Sequence, residues 1–122
     1  MALVQIAQRA TDLDRAASFY TMLLGRAPSA RFEPPGLLFF DLDGVRLLLD
    51  GNAPSALHYL AVDDVEAEVA RLAAAGVEVV SAPHQIFAHD DDTLGPAGTQ
   101  EWQAFVRDSE GNTVGLVEWR AP

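Results

Sequence analysis

The chain has 122 residues, 49% apolar and 21% charged, with no cysteine. That length and balance suit one domain burying its own core, exclude disulfide and thiol chemistry, and contain no apolar run near the roughly 18 residues of a membrane span. Eighteen acidic against eight basic residues give a formal net charge of −10, which repels polyphosphates and argues against nucleic acid as a partner.

In chain order, Leu3–Arg9 is the first predicted strand. Asp12 then caps a helix, because its carboxylate can accept from an orphan backbone N–H. Leu13, Ala16, Ala17, Tyr20, Leu23 and Leu24 share one helical face, and Gly25 closes it. Pro28–Phe32 reads as a short edge strand and Pro34-Pro35-Gly36 as a turn. Gly36–Asp41 and Val45–Asp50 flank Asp43-Gly44, a hairpin signal, and the apolar run 45–49 suggests a strand buried on both faces. Gly51–Ser55 is a linker. Leu57–Val62 is the next strand, and Asp63 is the expected cap of a second helix whose buried face is Val65, Val69, Leu72 and Ala73, ended by Gly76. Val77–Val80 is a strand. Residues 81–100 carry no periodicity and read as a long loop, either functional or disordered. Trp102–Arg107 and Thr113–Trp119 close the chain as a hairpin.

The order β-α-β-β-β therefore occurs twice. The expected organisation is a single domain over residues 1–122, with a first module over about 1–52 and a second over about 56–120. Two such halves can close around a pocket. The N-terminus lacks the regions of a signal peptide, so a cytoplasmic location is expected.

The runs DLDRAASFY…LLG, VDDVEAEVARLAAAGVEV and FVRDSEGNTVGLVEW, in this order and spacing, resemble the vicinal-oxygen-chelate superfamily, which includes glyoxalase I, extradiol dioxygenases and bleomycin-binding proteins. The resemblance implies an α+β fold in which two βαβββ modules form a half-open curved sheet, a homodimer, and in many members a divalent metal. It places metal ligands at four positions, which here hold Gln5, Leu48, Leu57 and Gly115. Only Gln5 keeps a ligand type, whereas a catalytic metal generally needs at least three protein ligands. If a metal binds, Gln5, Asp50 and His58 are the candidates, with Ni, Zn, Mn or Fe as the ion; otherwise no cofactor is expected.

Further pocket candidates are His84 and His89 on the long loop, where they could act from a lid. Trp102 and Trp119 offer planar walls, with core or dimer interface as the alternative. Arg46 is a charged residue on an apolar strand that could hold an anionic group. No nucleophilic triad follows from the spacing, and no catalytic residue is assigned. Two functions are therefore in view. One is a metal-independent small-molecule binding protein of the bleomycin-resistance kind, taking a cationic or planar aromatic ligand. The other is a glyoxalase-like lyase or isomerase acting on a small carbonyl substrate, in which a metal polarises an oxygen and a carboxylate moves a proton.

Overall fold

A computed structural model describes all 122 residues. The elements run β1 (Gln5–Arg9), α1 (Leu13–Leu24), β2 (Ala30–Phe32), β3 (Leu37–Leu42), β4 (Val45–Asp50), β5 (His58–Ala61), α2 (Val65–Ala74), β6 (Val79–Ala88), β7 (Gln100–Arg107) and β8 (Thr113–Arg120). They form two four-stranded mixed sheets, ordered β1-β4-β3-β2 and β5-β8-β7-β6. The class is α+β, with β-α-β-β-β in each half, as the sequence led us to expect. The chain divides into two compact units: residues 1–56 with 109–112, and residues 57–108 with 113–122.

In the first unit β1 pairs parallel to β4, with Ile6 beside Leu47 and Gln8 beside Leu49. Strand alternation sends these four residues to the face that also carries Leu38 and Phe40. Tyr20 of α1 lies 6.1 Å from Phe40, ring centre to ring centre, and Tyr20, Phe40, Leu38, Leu47 and Leu49 are fully buried. Burying each such side chain contributes about 1.5–3 kcal/mol. Asp12 caps α1 by accepting from the Arg15 N–H at 3.0 Å, and Gly25 ends it at φ 69°. The β3–β4 hairpin turns through Asp43 and Gly44, both at positive φ (54° and 99°), the geometry that makes Asp-Gly a two-residue turn. Gln8 is buried among these apolar groups because its amide is satisfied: it donates to the Ala56 carbonyl at 2.8 Å and accepts from the Ala56 N–H at 2.6 Å.

The 109–112 turn joins β7 to β8, yet it belongs to the first unit. Glu110 accepts from the Thr11 and Asp12 N–H groups, both at 3.0 Å, and from the Arg15 guanidinium at 2.7 Å. Asn112 donates to the Arg9 carbonyl at 2.8 Å. Burial pushes the Glu110 carboxyl up, but the bonds from Arg15, Asp12 and Ser109 outweigh it and bring the pKa down to about 2.

In the second unit Val65 and Leu72 of α2 are buried, as are Ala104, Val106, Val114 and Leu116 on β7 and β8. Four details depart from the sequence expectation. The first strand begins at Gln5, and Leu3 and Val4 are exposed. The second helix is capped by Asp64, which accepts from Ala67 N–H at 3.0 Å, and not by Asp63. Ala73 is exposed, so the buried stripe of α2 is narrower than predicted. The largest departure is β6: it spans Val79–Ala88 and so continues eight residues, 81–88, past the predicted strand end at Val80. Its pairing with β7 shifts register between Val79 and Ser81, Ser81 and His84, and Gln85 and Phe87. Each shift breaks the two-residue alternation by which a strand is recognised, and Pro83 is tolerated because β6 is a sheet edge. The connection that remains, residues 89–99, is half as long as expected.

Candidate functional site

The face of the second sheet away from α2 carries a cavity of about 300 Å³. Tyr59 and Ala61 of β5, Val117 and Trp119 of β8, Glu101 and Gln103 of β7, and Leu94 of the 89–99 loop line it. The register explains the set: Trp119 pairs with Glu101 and Val117 with Gln103, so alternate residues of neighbouring strands reach the same face.

Its polar edge is a chain of hydrogen bonds. His89 Nε2 lies 2.8 Å from Glu101 Oε1, and Gln103 Nε2 donates to Glu101 Oε2 at 2.7 Å. A carboxylate only accepts, so the proton of the pair sits on His89 Nε2. The His89 side chain is 1% exposed and that of Glu101 15%. The loop reaches this edge through Gly95: a Cβ there would stand 2.6 Å from Trp119 Nε1 and 3.0 Å from His89 Cε1. Two backbone bonds, His89 N–H to Thr99 O and Gly98 N–H to His89 O, both 2.8 Å, tie the loop ends.

The sequence-predicted residues distribute as follows. Trp119 lines the cavity, and His89 stands behind it, bonded to the lining carboxylate Glu101. His84 is exposed, its Nδ1 2.9 Å from the Ala82 carbonyl. Trp102 lies on the opposite face, under the Arg120 guanidinium at 4.0 Å. Arg120 donates to Glu118 at 2.8 Å, and Glu118 accepts the Val65 N–H at 2.9 Å, tying α2 to the sheet. His58, between Tyr59 and Leu57, also points to the α2 side, where both ring nitrogens are buried without a hydrogen-bond partner. In the first unit Gln5 pairs with Arg46, and Asp50 with Arg9, at opposite ends of β1 and β4. Glu101, next to Trp102 in sequence and expected at the pocket rim, lines the cavity, and Tyr59, Leu94 and Gln103 complete it without having been singled out; the register of the last hairpin could have indicated Gln103.

The metal positions can be tested on this geometry. Gln5 and Asp50 stand four residues apart along one sheet, roughly 13 Å, too far to share an ion. Gly115 has no side chain, and the Tyr59 ring fills the space a side chain would need: a Cβ at Gly115 would be 2.5 Å from Tyr59 Cδ2. No three His, Asp or Glu side chains cluster anywhere as a metal-holding group. The donors present do not fit a divalent metal of the kind the resemblance implies.

The profile of the Glyoxalase/Bleomycin resistance protein/Dioxygenase superfamily matches residues 2–116. The chain belongs to this superfamily. Among solved structures it is similar to the lactoylglutathione lyase of Agrobacterium tumefaciens, at 25% identity and TM-score 0.71, over 96% of this chain and 92% of that one. It is also similar to a glyoxalase/bleomycin resistance protein/dioxygenase of Alicyclobacillus acidocaldarius (18% identity, TM-score 0.68, 97% and 91% covered). TioX of Micromonospora sp. ML1 matches at 20% identity and TM-score 0.68, over 98% and 99%. No curated protein matches the chain by sequence. No helix is long and apolar enough to cross a membrane. The superfamily hosts several chemistries on one fold, so membership assigns the architecture, and the reaction must be argued from the site.

Proposed function

We propose that this superfamily member binds an organic small molecule in the cavity of its second unit, without a metal and without covalent chemistry. The observation that supports this most directly is the Tyr59 ring packed on Gly115, where metal-dependent relatives are expected to carry a carboxylate. An aromatic wall stands in place of a ligand to an ion. Tyr59 and Trp119 supply flat apolar surface, and the Glu101–Gln103 edge supplies the few polar contacts that orient a bound molecule. In the same reading the chain works as a homodimer, which light scattering checks; a monomer at high concentration would count against that part.

Binding to a panel of planar compounds, measured by thermal shift and then calorimetry, tests the reading. Trp119→Ala should weaken any ligand found by about 10-fold or more, the loss of one aromatic wall. Trp102→Ala, on the opposite face, should leave its affinity within about 2-fold. Equal effects of the two substitutions would place the ligand elsewhere.

A second reading, a metal-dependent lyase or isomerase of a small carbonyl compound, draws on the likeness to the lactoylglutathione lyase structure. The donor set argues against it. Incubation with Ni, Co, Mn, Zn or Fe(II), dialysis and mass spectrometry decide between the two: retention of about one ion per chain would favour the second.

A further inference from the structure

We propose that the cavity takes an organic cation with Glu101 as its counter-ion, and that protonation of His89 expels it. This rests on the cavity being the ligand site.

Glu101 is the only charged side chain lining the cavity. It is mostly buried, and a buried carboxylate calls for a positive partner. The second unit has three arginines, and each is committed to other carboxylates: Arg71 to Glu68, Arg107 to Glu78, and Arg120 to Glu118 and Glu66. The partners of Glu101 are instead a neutral amide, Gln103, and an imidazole, His89. While that imidazole is neutral, the carboxylate keeps an uncompensated negative charge beside open space. Each of its oxygens holds one hydrogen bond and retains a second acceptor position for a ligand N–H. Tyr59 and Trp119 present π surface at the same cavity, which attracts a cation further. The unit as a whole favours the same sign of ligand, with three arginines against eleven carboxylates.

His89 is placed to oppose this. Its ring is sealed by Gly95, and its Nε2–H already points at Glu101. A second proton, on Nδ1, would turn the hydrogen bond into an ion pair inside the protein. Glu101 would then be neutralised without any ligand. Two acidic groups face His89, Glu101 from β7 and Asp91 from the loop. The neighbouring strands present the rings of Phe87 and Trp119, which carry no charge. The exchange balances, since one proton enters for each monovalent cation released. Histidine is the side chain suited to such a swap near neutral pH.

Calorimetry with two rigid probes of the same shape tests this. N-methylquinolinium carries a fixed charge, and 1-methylnaphthalene is its neutral isostere, so neither titrates. At pH 7.5 the cation should bind about 10-fold tighter than the neutral probe, and at pH 5.5 that preference should fall below about 3-fold. Glu101→Gln should remove the preference at both pH values, and His89→Gln should keep the preference but lose its pH dependence. Equal binding of the two probes to the native protein at pH 7.5 overturns the cation assignment while leaving the cavity a ligand site. A preference unchanged at pH 5.5 overturns the role of His89. Binding of neither probe overturns this proposal and the reading it rests on. The native protein at two pH values answers the question even where a variant fails to fold.

Discussion

The two units share a topology and treat the sheet face away from the helix differently. Counting five residues back from each helix cap, Asp12 and Asp64, reaches Ala7 in the first unit and Tyr59 in the second. Counting four residues on from each hairpin glycine, Gly44 and Gly111, reaches Leu48 and Gly115. The structure pairs these positions across the parallel strands, Ala7 with Leu48 and Tyr59 with Gly115. A small residue faces a large one in both units, but the large one has changed strands. In the first unit the bulk sits on β4. In the second it sits on β5 as an aromatic ring, over a glycine that leaves it room, and the cavity opens beside that ring. The lesson is that a duplicated framework can keep a small residue against a large one while exchanging an aliphatic side chain on one strand for an aromatic ring on the other.

The largest expected effect comes from breaking the second pair. Gly115→Leu places a side chain within the Tyr59 ring, a backbone-anchored overlap at 2.5 Å that the ring must leave. Overpacking of this kind costs about 1–3 kcal/mol, and more where the neighbour has no free rotamer. We expect the upper end, about 3 kcal/mol, in urea unfolding. Tyr59→Ala combined with Gly115→Leu rebuilds the pattern of the first unit and should recover at least half of that loss. A double variant no more stable than Gly115→Leu alone would show that the pairs are not exchangeable. Either way the cavity loses the Tyr59 wall and keeps only Trp119, so ligand binding should not return fully with stability.

Next comes the first unit's own anchor. Glu110 is held ionised by Arg15 and two N–H groups, and truncating it strands those donors. Glu110→Ala should cost about 2–3 kcal/mol. Because the folded-state pKa of Glu110 is depressed to about 2, its contribution is fully present above the ordinary carboxyl range and is lost as pH falls from about 4.5 towards 2. Acid titration of the native protein and the variant should converge over that window. A constant gap between the two curves would mean that Glu110 acts through packing alone.

Much of this was legible from residue order, and the remainder was hidden for identifiable reasons. Capping, hairpin and periodicity signals gave the repeated β-α-β-β-β because each is local: Asp12, Asp43-Gly44 and the Tyr20 stripe act through neighbours in the chain. The second helix cap was off by one because Asp63 and Asp64 are equal as hydrogen-bond acceptors, and only backbone geometry distinguishes them. The predicted strand Val77–Val80 stops short of the true end of β6 at Ala88 because bulges and Pro83 erase the two-residue period beyond it. Of the residues named from sequence, Trp119 lines the cavity and His89 bonds its Glu101, while Trp102, one residue from Glu101, points the other way. A one-residue difference reverses the face of a strand, so a residue's chemistry suggests a site well before its register can be known.

The smallest effect sharpens the comparison at the core. His58 occupies the position that Ile6 fills in the first unit, one residue before the Ala7 and Tyr59 pair. Ile6 meets the core with no polar atoms. His58 brings two ring nitrogens into it, and neither has a hydrogen-bond partner. An unsatisfied buried polar group costs about 1–3 kcal/mol, so His58→Ile should stabilise the protein by about 1 kcal/mol after allowance for the change of shape. The pH dependence carries the sign. Burial lowers the pKa of His58, and the charge of Asp108 only partly opposes it, so the folded chain refuses a proton that the unfolded chain accepts. Native stability should therefore decline as pH drops below about 6.5, the ordinary histidine value, and the gain from His58→Ile should widen there. A gain that stays constant from pH 8 to pH 5 would place the effect in packing, and would make His58 an ill-fitting side chain in an otherwise conventional core. A loss of stability on substitution would instead mean that the ring is satisfied in solution, with water on its nitrogens, and that the second unit has given up the dry core its partner keeps.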